Sequence, residues 1–113
     1  GGSNIIKLRG RSSFQSPAYN AVKMIEAAMG GEPFTLPAGC YVNCDKCGFK
    51  NVMMAMPSTI DKTGVHFTAP TGTEEEMASL NKSYEHLCKM RDEIVALGIV
   101  PAVEEWTKMN PNL

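Results

Sequence analysis

Three cysteines, Cys40, Cys44 and Cys47, follow one another as C-x3-C-x2-C, a spacing that can hold three corners of a four-iron cluster and leave one iron open. Radical chemistry on such a cluster needs an enclosing barrel of strands and helices, which a 113-residue chain with one hairpin does not build. The run Cys44-Asp45-Lys46-Cys47-Gly48 is also half of a zinc knuckle, in which two thiolates on a tight loop supply two of four tetrahedral ligands. Its second pair would have to come from Cys40, Cys88, His66 or His86, and none of these stands at a matching spacing. A small zinc-binding or assembly domain using Cys44 and Cys47 is therefore one reading, and loop thiols of no special function are the plainer one. His66 and His86 lack a readable acid or nucleophile partner and are expected to be structural. Lys7, Arg9 and Arg11 alternate so as to offer positive charge to a phosphate or carboxylate, or to form a solvated edge. No phosphate-binding glycine loop, metalloprotease helix or nucleophile elbow is present, so the chain carries no self-contained catalytic motif.

The elements that would position these residues are legible in part. Residues 4–9 are apolar and basic, and six residues do not separate a strand from the end of a helix. Ser16-Pro17 reads as an N-cap followed by the residue best suited to a first helical position. Ala18, Ala21, Val22, Ile25 and Met29 then recur at helical spacing until Gly30-Gly31, which predicts a helix over residues 17–29. Residues 34–43 and 49–56 read as two strands flanking the Cys44–Cys47 loop, the second buried on both faces and ended by Pro57. A short strand over residues 65–68 follows the turn at residues 61–64. Thr73-Glu74-Glu75-Glu76 is a capping box that opens the longest helix, whose inward face carries Met77, Leu80, Tyr84, Leu87 and Ile94 before Gly98 and Pro101 end it. A last helical turn is expected around Val103 and Trp106.

Composition bounds the rest. With 11 Lys+Arg against 12 Asp+Glu and 43% apolar residues, the chain is an ordinary single domain, not a disordered tail or a binder of nucleic acid through bulk basicity. A core can form without obligatory disulfides or metal. No apolar run is long enough to span a bilayer and no signal peptide is visible, so no membrane association, a cytoplasmic location and reduced thiols are the expectation. The opening Gly1-Gly2-Ser3 reads as a linker or cloning scar, residues 1–3, ahead of a domain over residues 4–113. The eight methionines are read as adaptable core filler.

One ordered series of motifs is more specific. The stretch Ile6-Lys7-Leu8-Arg9-Gly10-Arg11-Ser12-Ser13-Phe14-Gln15-Ser16-Pro17-Ala18-Tyr19-Asn20-Ala21-Val22 resembles the helix, break, small polar residues and second helix of the substrate domain in the lactate/malate dehydrogenase family. Phe34-Thr35-Leu36-Pro37-Ala38-Gly39-Cys40-Tyr41-Val42 resembles its "LP" strand, Lys50-Asn51-Val52-Met53-Met54-Ala55-Met56-Pro57 the partner strand, and Gly64-Val65 the following turn. The similarity runs in order from residue 4 to about residue 98, and the Ser16-Pro17-Ala18 stretch is more like the malate branch. It implies an α+β fold, a twisted antiparallel sheet packed against two main helices. It also implies a C-terminal substrate-domain fragment of an enzyme that interconverts malate and oxaloacetate with NAD. By motif position Ser12 and Ser13 would line the substrate pocket, and Ser16 and Pro17 the wall beside the cofactor; the alternative is that these serines only break one helix and cap the next. Nothing matches the family's catalytic His, substrate-binding arginine or dinucleotide-loop motifs. The isolated chain is therefore expected to bind no NAD and to turn nothing over. Its implied partners are the N-terminal Rossmann domain of the same enzyme and further copies in a homo-oligomer. Exposed apolar surface at Ile5, Ile6 and Leu8 would promote self-association. The Cys44–Cys47 loop and residues 99–113 depart from the family pattern.

Overall fold

A computed structural model describes residues 2–113. Its elements in chain order are α1 (Gly2–Arg9), α2 (Gln15–Ala28), β1 (Ala38–Cys44), β2 (Phe49–Met56), β3 (Ser58–Asp61), β4 (Gly64–Phe67), α3 (Glu74–Ala96) and α4 (Val103–Met109). The α+β class is as expected. The strands, however, pair as two two-stranded ladders, β1 with β2 and β3 with β4. Contacts divide the chain into two compact units, Gly1–Leu36 with Ser58–His66 and Pro37–Pro57 with Phe67–Leu113. Of the expected leader over residues 1–3, Gly1 lies outside the described residues, whereas Gly2 and Ser3 form the first turn of α1.

In the first unit, α2 packs on β3. Ala27 of the helix is fully covered, and Ser58 and Ile60 turn inward from the strand. Phe34 and Ile60 exchange backbone hydrogen bonds of 2.9 Å in each direction, which ties the chain after α2 to the strand. Pro57 ends β2 at Met56, as expected, and the chain resumes as β3 one residue later. A proline fits there because it lies between two ladders, with no N–H required of it. The end of α2 shows why two glycines follow it. Gly31 N–H reaches the Glu26 carbonyl at 2.8 Å and Gly30 N–H the Ala27 carbonyl at 3.0 Å, satisfying carbonyls that the last turn leaves open. Gly30 has φ +94°, and a Cβ on Gly31 would stand 2.9 Å from the Glu26 carbonyl oxygen.

In the second unit, β1 and β2 form an antiparallel hairpin with Cys40 opposite Met54 and Val42 opposite Val52. Cys40, Val42, Phe49, Val52, Met54 and Met56 make the core cluster. Strand β2 is buried on one face, not both: Met53 is 62% exposed and Ala55 also faces outward. Apolar residues at alternate positions mislead here because methionine also tolerates the solvent side. From Val42↔Val52 to Cys44↔Phe49, β2 passes two residues where β1 passes one, which is a β-bulge at Lys50-Asn51. Asn51 adopts φ +54°, a conformation that asparagine tolerates better than most residues.

Helix α3 covers this hairpin with Leu80, Tyr84, Leu87 and Cys88, a stripe at 3–4 spacing. Ile94, expected on the same face, is 40% exposed, and the half-buried positions of the last turns are Arg91 and Val95. Both reciprocal bonds of the capping box are present, Glu76 N–H to Thr73 Oγ1 at 3.2 Å and Thr73 N–H to Glu76 Oε2 at 2.8 Å. The far end repeats the α2 solution, with Ile99 N–H on the Ile94 carbonyl and Gly98, at φ +70°, on the Val95 carbonyl. The expected last turn is α4, pinned by Trp106 Nε1–H donating to the Pro101 carbonyl at 2.9 Å.

Candidate functional site

The serine-bearing break between α1 and α2 lies wholly in the first unit. Gly10, at φ +69°, closes α1 by donating to the Ile6 carbonyl at 2.8 Å, and helix resumes at Gln15. The N-cap is Phe14, and no side chain caps the helix. The expected N-cap at Ser16 is thus displaced: Ser16 and Pro17 lie in the first turn, where a missing proline N–H costs nothing because those N–H groups have no helical acceptor.

That shift bears on the serines. Ser12, Ser16 and Pro17 are exposed and Ser13 is half-buried. Among the described residues the hydroxyls of Ser12, Ser13 and Ser16 have no hydrogen-bonding partner, so none of them acts as a helix cap. Arg11 adds a cation beside them, its guanidinium carbon 5.2 Å from the centre of the Phe14 ring. An aromatic shelf of this kind restricts a long side chain without neutralising it. Lys7, Arg9, Arg11 and Lys23 are the only charged side chains before Glu26, and among the described residues only Lys23 of these four forms an ion pair, with Glu26 at 2.7 Å. Free N–H groups at the start of α2 reinforce the positive potential. Three free hydroxyls on a cationic, outward-facing segment are suited to holding carboxylate or phosphate oxygens. Arg11 was one of the three alternating cations noted in the sequence; its stacking on Phe14, three positions on, is what the structure adds.

The other candidates come out differently. Cys44 and Cys47 form a disulfide, with Cα atoms 5.6 Å apart, well inside the span a disulfide bridges. The expectation of loop thiols is corrected by this pairing. Two residues between the cysteines let the turn fold their sulfurs together, and the bonded sulfurs are not available as zinc ligands. Among the described residues no three His, Cys, Asp or Glu side chains converge as a metal site would require. His66 joins a turn network in which its Nε2 lies 2.7 Å from Thr63 Oγ1 and 3.5 Å from Asp61. Bonds from Thr63 hold the Asp61 carboxyl below the usual carboxylate range, with His66 a smaller contribution. His86 is exposed on α3.

The second unit has an apolar groove of about 310 Å³ lined by Met53, Leu87, Met90, Ile94 and Trp106. Arg91 also borders it, but this guanidinium is committed elsewhere, to the Asn51 carbonyl at 3.0 Å, the Lys50 carbonyl at 3.2 Å and Asp92. Tyr84 completes the arrangement by accepting the Lys50 N–H at 3.1 Å. Burial raises the Tyr84 phenol above its usual range, and the adjacent Cys88 adds to the effect. These side chains satisfy the backbone of the bulge and leave little polarity free for a ligand.

The family model of the lactate/malate dehydrogenase alpha/beta C-terminal domain matches residues 1–97, and the chain belongs to that family. Malate dehydrogenase from Geobacillus kaustophilus (strain HTA426) is 32% identical over 87 residues, covering 75% of this chain and 28% of that protein. The malate dehydrogenase of Sorangium cellulosum (strain So ce56) is 29% identical over 97 residues, 85% of this chain and 31% of that protein. The enzyme of Anoxybacillus flavithermus is 31% identical over 87 residues. The chain spans less than a third of the length of the curated relatives it matches.

Proposed function

We propose that this chain is the C-terminal substrate-domain part of a malate dehydrogenase, and that in the intact enzyme it forms one wall of the site where malate and oxaloacetate interconvert with NAD. The observation that carries the reading is the α1–α2 break: free hydroxyls on Ser12, Ser13 and Ser16, flanked by Arg11, in a segment whose charged residues are all basic before Glu26. Dicarboxylate substrates and a pyrophosphate-bearing cofactor are both anionic, so this wall complements either.

The residues present fit a polar, anionic partner on one side only. Ser12 and Ser13 would donate hydrogen bonds to substrate carboxylate oxygens, and Ser16 and Pro17 would border the cofactor. NAD supplies the hydride acceptor when bound. What this chain contributes is orientation and charge, which lower the barrier by fixing the reacting groups and do not themselves move a proton. The proton-transferring groups, the carboxylate-clamping arginines and the dinucleotide loop belong on the N-terminal Rossmann domain of the same protein. The chain is accordingly inactive alone, and it works in a cytoplasmic homo-oligomer.

Nicotinamide absorbance tests this reading. Alone, the 113-residue chain leaves NADH unconsumed with oxaloacetate, whereas a longer protein carrying the same domain behind a dinucleotide-binding half consumes it. In that longer protein Ser12→Ala and Ser13→Ala raise KM for oxaloacetate about tenfold, the loss of roughly one hydrogen bond to a charged group. Turnover by the chain alone, or an unchanged KM in both variants, would refute the proposal.

A further inference from the structure

We infer that Cys44 and Cys47 form a thiol–disulfide exchange site at the tip of the β1–β2 hairpin, reducible by dithiols and reclosable by oxidised ones. The inference rests on the second unit alone and stands independently of the proposed enzymatic role.

Access is the first requirement. Cys44 and Cys47 are half-buried while Asp45 and Lys46 between them are exposed, so an incoming thiolate can reach the bond from solvent. Cys40, only 5% exposed in the core, offers no such approach. Polarity is the second. Cys47 N–H points at Cys44 Sγ, 3.3 Å away, a donor that favours negative charge on that sulfur over the other. A leaving thiolate is therefore better accommodated on Cys44, which directs attack to Cys47.

The step balances with a dithiol as the named reductant. Its first thiolate attacks Cys47 Sγ; a mixed disulfide forms there, the Cys44–Cys47 bond breaks, and the bonding pair leaves on Cys44 Sγ beside the Cys47 N–H. The reductant's second thiolate then attacks its own sulfur in the mixed disulfide and releases Cys47 as a thiolate. Two electrons pass to the protein, the two protons of the dithiol supply Cys44 and Cys47, and the reductant departs as a disulfide.

Reversibility is the third requirement, and here the loop has ties of its own. Asp45 pairs with Lys50 across the tip, Gly48 N–H donates to the Asp45 carbonyl at 3.3 Å, and both cysteines pack against the core cluster. The closed loop spans only three positions, so the bond constrains little chain. Both states of the pair can thus share one hairpin, which distinguishes an exchange site from a structural staple.

The test equilibrates the 113-residue protein with glutathione mixtures from reduced to oxidised, and separately with excess dithiothreitol. Acid quenching, alkylation with N-ethylmaleimide and peptide mass spectrometry then read each cysteine. The expected result is two labels gained together on Cys44 and Cys47 as the mixture becomes reducing, with an unchanged far-UV spectrum and the same behaviour in Cys88→Ser. In the reduced protein, limiting iodoacetamide labels Cys44 faster than Cys47. A pair that stays thiol in every mixture, or stays closed against dithiothreitol, overturns the proposal. So does loss of the far-UV spectrum on reduction, or loss of closure in Cys88→Ser. Stoichiometric zinc uptake by the reduced pair that prevents reclosure overturns it as well, and would make the pair a metal site.

Discussion

Arg91 is the residue through which the second unit is most exposed to a single change. It bonds two carbonyls of the bulge, those of Lys50 and Asn51, where the β1–β2 register shifts. Arg91→Ala removes both bonds and should cost about 2 kcal/mol, as expected for hydrogen bonds from a charged donor. Urea unfolding followed by circular dichroism reads this as a lower midpoint. Tyr84→Phe, which forfeits one bond to the Lys50 N–H and keeps the packing on Phe49, should cost about 1 kcal/mol in the same assay. At Asn51 the ordering of variants matters more than the size. Glycine keeps φ +54° at ease and loses only the Tyr41 hydroxyl bond of 2.6 Å, whereas valine loses both, so Asn51→Val must be the less stable. None of this was legible in the sequence. An arginine on the apolar stripe of a helix reads as an interruption until the register of two strands shows which carbonyls need it. Ser12 and Ser13 stood out through resemblance alone and Ser16 as a helix cap, and their lack of partners followed only once Phe14 proved to be the cap.

At the scale of elements, ends were read better than interiors. The capping box at Thr73, the glycines after α2 and α3 and the turn glycine Gly64 each carry a local reason in their own residue type, so they are visible without the fold. Strand β3 was missed because its four residues follow a proline, and their pairing partner lies across a turn. Element ends, the start of α3 and the end of β3, also carry a pH dependence whose sign is fixed. Backbone and hydroxyl bonds from Thr73 hold the Glu76 carboxyl below its ordinary value, and Thr63 does the same for Asp61. Groups lowered on folding stabilise the native state above their unfolded range, and that contribution is lost as pH falls through the folded value. Acid titration by circular dichroism should therefore show fraying of α3 only below the ordinary carboxylate range, and Glu76→Gln should flatten that part of the curve. Gly98→Ala and Gly30→Ala each force a Cβ into positive φ and should cost about 1 kcal/mol, read as lower unfolding midpoints.

For the whole molecule, the distribution of apolar surface makes the last prediction. Leu8 is 87% exposed, α1 buries none of its residues, and Tyr19, Val22 and Ile25 of α2 and its C-cap Met29 are each more than half exposed. Among the described residues no helix is long and apolar enough to cross a membrane, so this surface does not belong to a spanning segment. Val22 and Ile25 of α2 and its C-cap Met29 follow one another at 3–4 spacing, the arrangement by which helices bury a face against another chain or domain. In relatives of which the matched stretch makes up less than a third, the remainder of the protein is the available cover. The 113-residue chain in isolation should then associate with itself, and sedimentation velocity should show mean mass rising with concentration. Ile25→Lys combined with Leu8→Glu places a charge in each apolar surface without touching Ala27, the buried residue of α2, and should return the chain to a monomer with its far-UV spectrum intact. A double variant that associates as strongly as the parent would locate the contact elsewhere, most directly on the groove beside Trp106.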